Sequence, residues 1–212
     1  MKKVISIMMV AVLCGCFALN AVAQSDKKYN KEMEKVYQKK NKELKKEGWK
    51  VSGTSLTLEA ALMKHLRAIN SDDKNKELTA EVTMCRSINV CKSNALNNAL
   101  VEYANSAGSY VRGRVVADVF NNASASVPEE FDKFYAAYER LVQAEIKGEL
   151  EFSFAIEKAN GEGKAYRAYY IVNEDRASKA RLRAMQRAAE ESRLAQQYAG
   201  QVANFVSEGF EE

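Results

Sequence analysis

The sequence contains little proline and little glycine, the residues that most often interrupt regular structure. Among its 212 residues there are one proline and ten glycines. Disordered and loop-dominated chains are usually richer in such residues, so this scarcity argues against both classes. Hydrophobic residues make up 47% of the chain, which is enough for a packed core.

Beyond the N-terminal region, the sequence has no apolar run of the roughly 20 residues needed to cross a bilayer. The N-terminal region itself has a basic start at residues 1–3, an apolar stretch at 4–13 and a small-x-small site at 21–23. This order is typical of a secretory signal peptide. We therefore predict residues 1–23 as a signal peptide, with cleavage following Ala23 and a periplasmic or envelope-associated location.

An alternative processing route is lipidation at the N-terminus. Leu13-Cys14-Gly15-Cys16 resembles a bacterial lipobox, in which Cys16 would carry the lipid. The residues that follow, 17–19, are still apolar, which favours a longer apolar region cut after Ala23. The lipid-anchored structural lipoprotein stays as an alternative to the soluble exported protein.

Positive charge is concentrated in one segment. Residues 26–50 hold ten lysines against five acidic residues, whereas the whole chain has a formal net charge of +4. Export argues against nucleic acid as a partner and leaves anionic lipid or an envelope polymer, beside the simpler interpretation of a solvated helix face. The oligomeric state is not indicated.

The clearest structural pattern is a β-hairpin ending at residue 173. Apolar and polar residues alternate on its first strand, an Asn160-Gly161 turn follows, and a second strand returns. We expect a three-residue loop, because that register keeps the apolar residues on one face. It pairs Ile156 with Tyr166, Phe154 with Ala168 and Phe152 with Tyr170.

The remaining patterns predict an α+β fold in which helices cover a small antiparallel sheet. Strands are expected near 48–53, 78–86, 146–158 and 164–173. Helices are expected at 28–47, 56–69, 91–119, from the capping box Ser126-x-x-Glu129 onward, and at 175–208. The predicted division is 1–23, 24–77, 78–173 and 174–212.

Two packing arrangements are expected from these helices. Phe152 and Phe154 should lie under the helix that bears Phe134 and Tyr138. The helix at 175–208 is long and has an alanine-rich stripe in its first half, which allows close packing but buries little area. That half should contact the helix at 28–47 or a partner, so the terminal helices are the predicted binding elements for a protein or an envelope polymer.

The alanine-rich helix, the capped helix and the hairpin ending in tyrosines together resemble a known pattern. It is similar to the LPP-twenty lipoprotein family, whose domain is like the first domain of flagellar assembly protein T. The resemblance covers residues 78–173 and is carried by Ala95, Ala99, Ala104, Ala107 and residues 165–170. It implies an envelope protein with a helix-covered sheet, and it brings no catalytic residue.

Residues that could carry chemistry are few. His65 is the single histidine, and we expect it at a helix surface, so no histidine-dependent metal site is predicted. Glu149, Glu151 and Glu157 share one strand face and could act in an exported hydrolase, although their regular spacing is better explained by contact with water. No catalytic, cofactor-binding or metal-binding residue is assigned.

Two cysteines follow the signal peptide, Cys85 at the end of a strand and Cys91 at the start of a helix. In an oxidising compartment such a pair can form a disulfide, and two free thiols are the alternative. Taken together, the sequence predicts an exported, non-enzymatic cell-envelope protein, a binding or structural module of unknown ligand.

Overall fold

The computed structural model of the chain describes residues 34–118, 128–191 and 196–207, with side-chain burial left aside at 116–118 and 128–130. The predicted signal peptide, Cys16 and the Ser126 cap lie outside these ranges. The chain divides into two compact units, residues 1–48 and 49–212. The predicted boundary at residue 77 therefore falls inside the second unit.

In the first unit, helix α1 covers residues 34–46, within the predicted helix at 28–47. Gly48 follows it with a positive φ of 81°, a conformation that glycine adopts without a steric cost. The main-chain N–H of Gly48 donates to the carbonyl of Lys45, which closes the last turn.

The second unit confirms the α+β class. Within the described residues, four strands form one antiparallel sheet in the order β1-β3-β4-β2. The elements of the unit are β1 (Lys50–Val51), α2 (Leu58–Ile69), β2 (Asn75–Cys85), α3 (Ile88–Asp118), α4 (Pro128–Ile146), β3 (Leu150–Asn160), β4 (Gly163–Asn173), α5 (Glu174–Ala189) and α6 (Ala199–Ser207). Residues 146–149, predicted as strand, instead end α4 and connect it to β3.

The hairpin register differs from the prediction from Phe154 to the turn. Phe152 pairs with Tyr170 as expected, but Phe154 pairs with Tyr169, because the register shifts at Ser153. Asn160 pairs with Gly163, so the turn contains two residues and begins at Gly161, which has a φ of 56°. The shift is a β-bulge, an extra residue in one strand that pattern-based pairing does not include.

The bulge sends two neighbouring aromatic side chains of β3 to different surroundings. Phe154 is buried and stacks on Tyr169, with His65 of α2 against its edge. Phe152 is 54% exposed and contacts the edge of Tyr170. The expectation that both lie under α4 is therefore wrong, since α2 covers Phe154.

The aromatic face of α4 packs on helices. Phe131, Phe134 and Tyr138 are buried in a core cluster with residues of α3 and α5, to which the sheet contributes Val172. A second cluster joins α3 to the sheet through small side chains such as Ala95 and Ala99. Helix α3 thus links the two clusters.

Helix α3 also contains Gly108, at the position where it passes α4. A Cβ atom at Gly108 would overlap the side chain of Glu139. The close neighbour is a side chain of α4.

The predicted single helix at 175–208 is wrong as well. Helix α5 ends at Ala189, a turn follows at 190–191, and α6 packs against α5 and α3. The alanine stripe of α5 is buried on α4 and is not available to a partner: Ala177, Ala180, Ala184 and Ala188. The alanine spacing predicted the buried face of α5 correctly. The helix that packs on this face is α4 of the same unit.

Cys85 and Cys91 form a disulfide that joins the end of β2 to the first turns of α3. Their Cα atoms are 5.4 Å apart, inside the range that a disulfide spans. Both residues are buried in the cluster between α3 and the sheet. The bond therefore fixes the start of α3 against the strand that precedes it.

Replacing both cysteines by alanine should lower the free energy of unfolding by about 2 kcal/mol. The bond closes a short loop, since the sequence separation is six residues, and the loss of chain entropy in the unfolded state grows with loop length. Urea denaturation of the oxidised wild type and of C85A/C91A measures the difference. Wild-type protein treated with dithiothreitol should lose a similar amount, and an unchanged midpoint despite two titratable thiols would contradict the prediction.

Candidate functional site

His65 lies at the centre of a buried polar cluster between α2 and the sheet. Its side chain has no exposed surface. Nε2 is 2.5 Å from a carboxylate oxygen of Glu77 on β2, and Nδ1 is 2.9 Å from the hydroxyl of Ser153 on β3. The expectation of a surface histidine is therefore wrong. The structure brings together a hydroxyl, an imidazole and a carboxylate.

The sequence folds locally so that α2 presents His65 to the sheet. Thr57 caps the helix by accepting a hydrogen bond from the main-chain N–H of Ala60. The buried face continues at helical spacing, with His65 in the middle: Leu58, Ala61, Leu62, His65 and Leu66. Position 65 follows 58, 61 and 62 on that face, so the spacing could have identified a buried histidine.

The position of Ser153 depends on the bulge in β3. Ser153 has no partner in the pairing of β3 with β4, and its hydroxyl lies on the same side of the sheet as Phe154. A regular strand would send these two neighbours to opposite faces. Bulges commonly redirect a side chain in this way. No pattern of residue types in β3 indicates the bulge.

Aromatic rings enclose the imidazole on two sides. The ring centroid of His65 is 5.4 Å from that of Phe154 and 5.5 Å from that of Tyr169, both in edge-on arrangements. Ser153 is only half-buried, and the side chain of Glu77 is 30% exposed. Of the three groups, the imidazole is therefore the one most withdrawn from solvent.

Beside this cluster, two cationic side chains pack on an indole ring. Lys158 and Arg167 both lie over the ring of Trp49, at 4.5 Å and 4.8 Å from its centroid. Arg167 also donates from Nε and Nη2 to one oxygen of Glu81. These contacts fix β1 and β2 relative to β3 and β4.

The three acidic residues considered for a hydrolase do not converge. Glu149 pairs with Arg183, Glu151 pairs with Arg176, and Glu157 accepts hydrogen bonds from Lys164 and Ser52. Burial acts to raise the pKa of Glu157, but the bonds from Lys164 and Ser52 outweigh it and hold this pKa below the ordinary value.

A shallow groove of about 600 Å³, largely open to solvent, runs along the exposed side of α3. Amides and hydroxyls are present on five of its lining residues, although apolar atoms form most of its surface. The lining residues are Asn97, Asn98, Val101, Glu102, Asn105, Ser106 and Ser109. Asn98 donates to the main-chain carbonyl of Glu81, and Asn97 accepts from Gln143 of α4. These two bonds fix the first turn of the groove.

The described residues contain no group of three His, Cys, Asp or Glu side chains that could hold a metal ion. No helix among them is long and apolar enough to span a bilayer.

Comparison of the chain with protein-family models, with curated proteins and with solved structures finds no match. The resemblance to the LPP-twenty family accordingly stays a prediction, and so do the export and envelope location that it implies.

Proposed function

We propose that this chain is an exported cell-envelope protein that binds a neutral, hydroxyl-rich envelope polymer through the groove on α3. The observation that carries the proposal is the composition of that groove. Among the described residues, its lining provides three amides, two hydroxyls and one charged side chain, Glu102. The predicted signal peptide at 1–23 supports the location.

The chemistry of the lining favours an uncharged ligand. Each asparagine side chain offers donors and an acceptor, and each serine offers both, so they can pair with sugar hydroxyls in either sense. Val101 lies among them and can contact the apolar C–H surface of a sugar ring. The described residues of the groove lining include no lysine or arginine that could neutralise phosphate or carboxylate groups.

Binding should weaken about tenfold when the far half of the groove is stripped of its polar groups. N105A/S106A/S109A removes one amide and two hydroxyls, and a hydrogen bond contributes about 0.5–1.5 kcal/mol. Isothermal titration of the protein with a soluble neutral envelope polysaccharide gives the Kd of each variant. The insoluble cell-wall fraction serves in a parallel co-sedimentation assay.

The matched control is N204A/S207A on α6, which also removes an amide and a hydroxyl from exposed helix positions. It should change Kd less than twofold. Equal binding by wild type and the triple variant would exclude the groove as the binding surface. Absence of binding to any neutral polymer, together with capture of a single envelope protein, would replace the polymer by a protein partner.

A further inference from the structure

The hydrogen bonds around His65 restrict where the protons lie when the imidazole is neutral and Glu77 is ionised. An ionised carboxylate only accepts hydrogen bonds, so Nε2 must carry the proton that it shares with Glu77. In the neutral imidazole the other nitrogen, Nδ1, then has a free electron pair. The hydroxyl of Ser153, 2.9 Å away, must donate to it. This is the order of donors and acceptors of a serine nucleophile, its base and the carboxylate that orients the base.

We propose, beyond the binding function above, that Ser153, His65 and Glu77 form a hydrolytic site for acyl esters. Ser153 is the nucleophile and His65 the general base. Glu77 is a positioning residue, which holds the tautomer and the orientation of the imidazole. The nitrogen that faces the serine here is Nδ1. Either ring nitrogen can act as the base, since each can hold the electron pair while the other holds the proton.

The local fold favours this assignment over an incidental contact. Three different elements, α2, β2 and β3, each contribute one group, and the bulge in β3 places Ser153 on the side of His65. The rings of Phe154 and Tyr169 shield the imidazole from water. Ser153 is half-buried, so it retains exposed surface that the imidazole lacks.

The reaction balances with water as the only co-reactant. The Ser153 oxygen attacks the ester carbonyl carbon while its proton moves to Nδ1 of His65. The bond from carbonyl carbon to alcohol oxygen breaks, and the alcohol leaves with that proton. Water then attacks the acyl-serine and gives a proton to Nδ1; the bond to Ser153 breaks, and the serine oxygen recovers the proton. The products are a carboxylic acid and an alcohol.

A fluorophosphonate probe tests the nucleophile in the folded full-length chain, because it reacts covalently with base-activated serines. Peptide mass spectrometry should find the adduct on Ser153. Ser109 is the internal control: it is exposed on α3 and the structure gives it no imidazole partner, so it should stay unmodified. Absence of an adduct on Ser153 after prolonged exposure to excess probe would overturn the proposal.

Variants separate chemistry from structure. H65Q should slow labelling of Ser153 by about 10²-fold or more, the usual contribution of a general base. E77Q should slow labelling less than H65Q does. E77D, which keeps the carboxylate, should label faster than E77Q, whereas a carboxylate with only a structural role would leave the two labelling rates equal. Circular dichroism melts of each variant verify folding. If H65Q does not fold, E77D still tests the proposal, because it retains both the carboxylate charge and the imidazole. A labelling rate in folded H65Q or E77Q equal to that of wild type would also overturn the proposal.

Discussion

Replacing Phe154 by alanine is expected to cost about 3–5 kcal/mol of folding free energy, the usual range for a buried phenylalanine. Its side chain is 4% exposed, and its ring is stacked on Tyr169 with the centroids 4.3 Å apart. The substitution would leave a cavity between α2 and the sheet, and His65 would lose the ring against its edge. Urea denaturation followed by circular dichroism measures the loss.

Phe152→Ala is the matched control, two positions earlier in the same strand. It should cost about 1 kcal/mol or less, because its side chain is 54% exposed and mainly contacts the edge of Tyr170. A regular strand would place Phe152 and Phe154 on one face, so equal losses for the two variants would show that the bulge at Ser153 is absent.

The hairpin shows what alternation in a sequence can predict. The alternating residues of β3 and β4 correctly identified two antiparallel strands and the pairing of Phe152 with Tyr170. They could not predict the bulge, because a bulge has no characteristic residue type here and changes only the face of the sheet on which the following side chains lie. The bulge lies at Ser153, so the candidate site depends on it.

The cluster at His65 was missed for a different reason. Histidine is polar, and a lone histidine beside an apolar stripe is usually exposed, so helical spacing alone does not predict its burial. His65 can be buried because Ser153 and Glu77 form hydrogen bonds with both of its ring nitrogens. These partners lie on β3 and β2, distant from His65 in sequence. Only the folded sheet brings the three together.

The C-terminal region was predicted from helical periodicity, which continues through the break after α5. The alanine stripe gave the buried face, yet it left out Arg181, which lies on that same face. Small side chains around a guanidinium leave room for it, so an alanine-rich stripe is compatible with a buried arginine as well as with close helix packing. Of its polar partners, Glu174 belongs to α5 itself, whereas Tyr103 and Val206 are supplied by α3 and α6.

Arg181→Ala should destabilise the protein by about 3–5 kcal/mol, the range for removing one partner of a buried charged pair. The side chain is 1% exposed and joins three helices. Nη1 donates to the hydroxyl of Tyr103 on α3, Nη2 donates to Glu174 at the start of α5, and Nε donates to the carbonyl of Val206 on α6. Burial raises the pKa of Tyr103 to about 12 despite the opposing charge of Arg181, so its hydroxyl stays neutral and accepts the bond.

Arg183→Ala provides the comparison on the same helix. Arg183 pairs with Glu145 and Glu149, but its side chain is 47% exposed, so its loss should cost less than about 1 kcal/mol. The two variants differ in a second measurement as well: R181A should speed amide hydrogen exchange in α6, because the bond to Val206 anchors that helix, whereas R183A should not. Equal stability losses would mean that the guanidinium of Arg181 is solvated and that α6 is held by its apolar contacts alone.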